Sequence, residues 1–321
     1  MCALFGICDY SNCFTSRNKN IILSVLSAES QIRGTDATGI AYVKNNRLQI
    51  YKRPIPAHKM RYNLPSNVKT VMGHTRMTTQ GSEKHNYNNH PFFGRVKNNT
   101  FALAHNGILR GDQELRKTLK LSNTKIETDS YIAAQIIEKE NSVTFDSLCK
   151  MAETIQGSFT FTVLDKYDNL YFVRGDNPLC IYHFADRGFY LYASTEDILQ
   201  KSLKVLGIDK YYNHKVQIDS GDILRIASNG DIDKLKFQYI DYFPKRYSYY
   251  NSQYTFDYDF GVVDEQYLSI LKQMARYYGY TDRDIDELIM EGWRLDEIEL
   301  MLYDDLYEND ETEYCLNRIK I

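Results

Sequence analysis

The strand signals in this chain come in hairpin-related pairs and its helical signals in groups, and no other feature narrows the fold as far. Gly39–Val43 and Leu48–Arg53 flank Asn45-Asn46, a turn-forming pair. Phe159–Leu164 and Leu170–Val173 flank the polar turn 165–169, and Leu179–Phe184 and Gly188–Ala193 flank Asp186-Arg187. Ala3–Cys8, Val71–Arg76, Thr100–His105 and Gly221–Ala227 read as further short strands. Helical spacing marks Asn20–Gln31, with Ile21, Ile22, Val25 and Leu26 on one side. It marks a group at Asp112–Leu119, Asp129–Lys139 and Phe145–Thr154, and Glu196–Leu206 behind the caps Ser194 and Thr195. Paired strands with grouped helices exclude a βαβ alternation and predict an α+β fold, antiparallel sheets covered by helices.

A chain of 321 residues buries enough apolar surface to need no disulfide staples. Its cysteines, at 2, 8, 13, 149, 180 and 315, are unevenly spaced and read as thiols. No run of 18 apolar residues and no basic leader precede the first strand, so no membrane span is expected and the chain reads as cytoplasmic. Cys2, Cys8 and Cys13 are spaced more widely than zinc pairs and no matching second pair follows, so no metal site is expected. The net charge of −3 hides an asymmetry: residues 251–321 hold 18 acidic and 6 basic side chains, residues 1–250 hold 24 and 33. No dense basic patch with interleaved aromatics appears, which argues for a mildly basic enzyme body with a solvated acidic tail and against a nucleic-acid partner.

The organisation reads as a body at 2–235, a Tyr-rich linker at 236–260 and an acidic helical tail at 261–321. In the tail, one amphipathic helix at Val263–Tyr278 precedes two copies of a short pattern, Gly279-Tyr280 and Gly292-Trp293 each followed by an acidic residue, Ile and another acidic residue. Each copy reads as a short capped helix, with Gly ending the helix before it. Docking on the body and binding of a partner are both open to such a tail.

The chemistry gathers at the other end. Residue 2 is small enough for methionine removal, which would leave Cys2 with a free α-amine of ordinary pKa about 7.7–8.0 beside its thiol. Nucleophile and base would then share one residue. Behind it come Arg33-Gly34-Thr35-Asp36-Ala37-Thr38-Gly39, then Gly73-His74-Thr75-Arg76-Met77-Thr78-Thr79-Gln80-Gly81. Asn89-His90-Pro91-Phe92, Ala104-His105-Asn106-Gly107-Ile108 and Glu127-Thr128-Asp129-Ser130 complete the set. Singly, Asn106-Gly107 reads as a turn, Asp129 as a helix cap and Arg76 as a strand-end cation.

In this order, behind a cysteine at residue 2, these segments resemble the class II glutamine amidotransferase domain, an N-terminal-nucleophile hydrolase. The likeness is nearest to the glutaminase domains of glucosamine-6-phosphate synthase and glutamine phosphoribosylpyrophosphate amidotransferase. It covers residues 2–235 and takes in Gly157-Ser158-Phe159, Arg174-Gly175-Asp176, Ala193-Ser194-Thr195-Glu196 and Ser220-Gly221-Asp222. The resemblance implies a four-layer αββα sandwich with a small helical C-terminal extension. It implies that Cys2 attacks the side-chain amide of L-glutamine, with Asn106 and Gly107 as oxyanion hole and Arg33 beside the nucleophile. Arg76 would clamp the substrate α-carboxylate, Asp129 would accept from its α-ammonium, and Thr79 would line the pocket. His74 and His90 would be structural, and no cofactor is implied.

Ala3, Met77 and Gln80 depart from residues usual in the family. The residues after 235 resemble neither a sugar-isomerase nor a phosphoribosyl-transferase domain. The expected partner is therefore a separate ammonia-accepting synthase. Two other readings stay open: a regulatory or binding module with a latent glutaminase site, and an N-terminal-nucleophile hydrolase of another amide.

Overall fold

The structure, a computed structural model, describes residues 2–240 and, further on, residues 268–269, 271–272, 275–276, 280–291, 293, 295, 298 and 301. The chain divides into two compact units, Met1–Lys245 and Arg246–Ile321.

The first unit is built on two antiparallel sheets. One has the order β11-β9-β10-β1-β4-β2-β3, from β1 (Ala3–Cys8), β2 (Ala37–Lys44), β3 (Arg47–Arg53), β4 (Thr70–Arg76), β9 (Cys180–Phe184), β10 (Phe189–Ala193) and β11 (His214–Lys215). The other has the order β13-β12-β8-β7-β6-β5, from β5 (Phe92–Val96), β6 (Asn99–Arg110), β7 (Gln156–Asp165), β8 (Leu170–Arg174), β12 (Asp222–Ile226) and β13 (Ile232–Lys236).

Strand alternation sorts the apolar side chains into three layers. Leu4 and Cys8 of β1 join Ala102 and Ala104 of β6 and Phe172 of β8 in the layer between the sheets. Phe5 and Ile7 turn the other way, onto α1 (Ser16–Ser30) and α5 (Glu196–Leu206). On the far side, Phe101 and Leu103 of β6 pack with α3 (Tyr131–Glu140) and α4 (Phe145–Thr154). The result is the α-β-β-α sandwich expected from the resemblance. β1 is buried on both faces, which is why its sequence reads as a near-continuous apolar run.

Helix ends follow their local chemistry. Thr15 caps α1 by accepting from the Asn18 N–H, Thr144 and Ser147 form a reciprocal capping box on α4, and Thr195 caps α5. A buried ion pair ties the end of β1 to α1: Lys19 Nζ lies 2.9 Å from Asp9 Oδ2, both side chains almost fully buried. Asp9 also accepts from the backbone N–H groups of Cys13 and Phe14.

Several boundaries differ from the sequence reading. α1 starts at Ser16, four residues before the apolar spacing becomes visible, because Thr15 caps it there. α3 starts at Tyr131, since the Asp129 side chain is engaged elsewhere. β5, β11 and β13 were not anticipated. β13 runs to Lys236 and Phe237 is buried beyond it, so the ordered body takes in the first residues of the segment read as a linker. The rest of that linker, from residue 241, lies outside the described residues.

In the second unit α6 (Asp282–Met290) carries a capping box between Thr281 and Asp284, as the first pattern copy suggested. Leu271, Ala275, Ile285 and Ile298 form a small buried cluster. Most of the second copy and most of Val263–Tyr278 lie outside the described residues.

Candidate active site

Cys2 stands immediately before β1, and neighbouring strands fix its position. Ala3 pairs with Thr75 of β4. Leu4 N–H donates to Ser194 Oγ at 2.8 Å while the Ser194 N–H donates to the Leu4 carbonyl, clasping β1 just inside Cys2. Arg33, at the end of the turn after α1, donates from Nε to the Cys2 carbonyl at 3.0 Å. The Cys2 thiol points to the Met77 carbonyl at 3.6 Å. Burial pushes this thiol above its ordinary pKa, with Arg76 pulling it down and Asp129 pushing it up. A thiol of that kind is protonated near neutrality and needs an adjacent base to become a nucleophile.

β4 ends in Arg76, whose guanidinium is nearly buried and held by neutral oxygens. One terminal nitrogen donates to Asn89 Oδ1 at 2.7 Å, the other to the Gln80 and Gly81 carbonyls at 2.6 and 2.9 Å. Among the described residues no carboxylate forms an ion pair with it. Burial lowers its pKa, with Asp36, Asp129 and Glu83 acting the other way from beyond contact distance; a buried guanidinium whose hydrogen bonds all go to neutral oxygens has the chemistry to take up an anion. The loop 77–81 after it is pinned where Asp36 Oδ2 accepts from the Thr78 N–H at 2.7 Å. Thr79 lies in this loop, half-buried.

β6 brings in Asn106 and Gly107. Gly107 has φ +142°, a conformation disfavoured for other residues, and a Cβ there would sit 2.0 Å from the Ser158 carbonyl. Asn106 is fully buried, yet neither its Nδ2 nor its Oδ1 has a hydrogen-bond partner among the described residues. Buried amides left unpaired are rare and costly.

Asp129, four per cent exposed, accepts from the Leu109 N–H at 2.6 Å and from the Ser130 hydroxyl at 3.2 Å. Burial raises its pKa, the backbone donors of Leu109 and Ser130 and the Ser130 hydroxyl draw it back down, and Arg76 adds to that. Asp129 is thus no helix cap; its carboxylate is set into the β6 end of the site.

Three buried histidines surround this arrangement without acting on it. His74 of β4 donates from Nε2 to the His105 carbonyl of β6 at 2.9 Å, bridging the sheets, and its ring packs on His90 at 4.2 Å. Burial holds His74 and His105 down to about 3, and His90 well below the usual range, so all three are neutral. This fits the structural role expected for His74 and His90.

The sequence reading missed the supports: Asn89 and Asp36, which sit inside quoted motifs without an assigned role, and Ser130, which steadies Asp129. Among the described residues no group of three or more His, Cys, Asp or Glu side chains could hold a metal ion. No described helix is long and apolar enough to cross a membrane.

An αββα sandwich whose central strand is led by a cysteine at residue 2 is the architecture of the N-terminal-nucleophile hydrolases. Comparison with known proteins narrows this. Residues 74–201 match the family model described as a glutamine amidotransferase domain. Glutamine–fructose-6-phosphate aminotransferase (isomerizing) of Staphylococcus aureus is 28% identical over 245 residues, 73% of this chain and 39% of that one. Its counterpart from Streptococcus agalactiae serotype III is 28% identical over 190 residues, 56% of this chain and 30% of that one. Two solved structures share the fold at 21% identity, each match covering 73% of this chain and 49% of the other. They are the glutamine phosphoribosylpyrophosphate amidotransferase of B. subtilis, with a TM-score of 0.57, and an allosteric regulatory enzyme of purine biosynthesis, at 0.59. The body of this chain is thus similar to class II glutamine amidotransferases, with residues 74–201 matching the glutamine amidotransferase domain itself. The matches span about two fifths or less of the curated relatives' length.

Proposed function

We propose that this chain hydrolyses L-glutamine to glutamate and ammonia through a γ-glutamyl thioester on Cys2, and that the ammonia passes to a separate acceptor protein. The observation that carries the reading is the unpaired, fully buried side chain of Asn106. In the absence of substrate that amide is a cost; it is repaired when an oxyanion accepts from Nδ2.

The steps follow from the raised thiol. Once Met1 is removed, the Cys2 α-amine takes the thiol proton as sulfur attacks the glutamine side-chain carbonyl carbon. Negative charge collects on the amide oxygen, between Asn106 Nδ2 and the Gly107 N–H. Collapse expels the nitrogen, which takes the proton from the α-ammonium and leaves as ammonia. Water, deprotonated by the same amine, then cleaves the thioester and releases glutamate. Arg33 holds the Cys2 carbonyl and so sets the angle of the nucleophile. Arg76 takes the α-carboxylate, Asp129 the α-ammonium, and Thr79 lies along the substrate. Opposite charges at the two α-substituents select a free amino acid over a peptide-bound glutamine.

A separate acceptor is favoured by the chemistry of the product, which is lost to protonation and diffusion unless a receiving site is close. The acidic C-terminal segment is the surface we assign to that contact.

The test is an acid-quenched reaction with L-glutamine followed by intact mass. A γ-glutamyl adduct on Cys2, absent with glutamine methyl ester, supports the reading. An adduct formed equally with the ester contradicts the role given to Arg76.

A further inference from the structure

Lys52 lies outside the motifs that define the site, yet its ammonium is turned inward. It sits on the edge strand β3, opposite Gly39 of β2. A Cβ on Gly39 would lie 2.2 Å from the His90 carbonyl and 2.7 Å from the Lys52 Cβ. The missing side chain is what lets the lysine and the 89–91 segment close over the strand. Lys52 Nζ then donates to the Asn89 carbonyl and, at 3.0 Å, to the Pro91 carbonyl, and lies 5.2 Å from the centre of the Phe92 ring. The Lys52 carbonyl accepts in turn from the Asn86 side chain at 2.9 Å. Asn89 is the residue whose Oδ1 accepts from Arg76 at 2.7 Å.

We propose that Lys52 is a positioning residue for amino-acid recognition: by holding the backbone of Asn89 and Pro91 it fixes the Asn89 side chain, and through it the angle at which the Arg76 guanidinium meets the substrate α-carboxylate. The inference rests on the reading of Arg76 as the carboxylate clamp. A cation is suited to this place because two carbonyl oxygens converge on one point, which a charged amine satisfies with one atom. The arrangement is also sensitive to protonation. The charged and titratable groups facing Lys52 are the Arg76 guanidinium and the neutral rings of His74 and His90. Burial, with Arg76 adding to it, brings Lys52 down to about 8. Above that pH the bonds lose their charge assistance and the segment loosens.

The experiment is L-glutamine binding by calorimetry in the Cys2→Ala background, which keeps the site and removes the nucleophile, with melting temperature checking the fold. Lys52→Met should raise Kd roughly tenfold at pH 7, the worth of one charge-assisted hydrogen bond. Lys52→Arg, which keeps a cation at any accessible pH, should hold Kd within about twofold at pH 7, where loss of one ordinary bond would show as more. Between pH 7 and 9 the parent should weaken more than Lys52→Arg does; any weakening common to both belongs to glutamine's own α-ammonium. Arg76→Lys separates the two readings, since it should abolish binding outright. Lost binding in Arg76→Lys with unchanged Kd in Lys52→Met overturns the role of Lys52 alone. Unchanged binding in Arg76→Lys overturns the clamp and this inference with it.

Discussion

His74 Nε2 donates across the gap between the sheets to the backbone carbonyl of His105, at 2.9 Å. Two residues after His74, β4 ends in Arg76; one residue after His105, β6 presents Asn106. The hydrogen bond therefore sets the spacing between the group assigned to the substrate's α-carboxylate and the group assigned to its side-chain oxyanion. A neutral ring with one N–H is sufficient for this, and burial keeps it neutral.

The histidines should be silent in catalysis and audible in stability. His74 and His105 stand at about 3 in the fold and His90 is also far down, against about 6.5 in the unfolded chain. The unfolded state therefore binds more protons between those values, so stability is fully present above about pH 6.5 and is lost as pH falls below it. Each ring contributes up to about 1.4 kcal/mol per pH unit in that window. Urea melts at pH 7 and pH 5 check this, and His90→Leu should flatten the difference. The Cε1–H resonances of the three rings should not titrate between pH 8 and 5.

Asn106→Ala should separate activity from stability. Glutamate release should fall by about 100- to 1000-fold, as for loss of one oxyanion-hole donor. The melting temperature should hold or rise, because the substitution removes two buried polar atoms without partners. A fall in both together would place Asn106 in the scaffold instead.

Lys19→Met leaves the Asp9 carboxylate buried without its cation. Breaking a buried pair on one side costs roughly 3–5 kcal/mol. The domain should melt roughly ten degrees lower. Because Asp9 and Lys19 lie at the far end of β1 from Cys2, KM for glutamine at a temperature below the melt should stay as it was.

Much of this was legible from the sequence, for reasons that are local. Hairpins such as β2–β3 announce themselves through Asn45-Asn46, and both of these residues adopt positive φ in the turn. Thr144 and Thr195 cap helices by contacts three residues away. Cys2, Arg76, Asn106, Gly107 and Asp129 stood out because each lies in a short motif whose order is distinctive. What was not legible depends on distant pairing. β5 alternates buried and exposed positions, but an apolar Phe93 stands on its exposed face and Gly94 on its buried one, which hides the pattern in the sequence, and β13 is exposed at all five positions and has no buried face to mark. Asn89 holds Arg76 from 13 residues away, and Lys52 holds Asn89 from 37. No spacing rule links such pairs; the sheet register brings them together.

The central claim is that Cys2 is the nucleophile of a glutaminase. Its most direct test is glutamate release from L-glutamine by protein whose mass shows Met1 removed, beside Cys2→Ala prepared in the same way. Release by the first, lost in the second, is the predicted result. Equal release by both would contradict the account, because the glutaminase chemistry would then belong to another group.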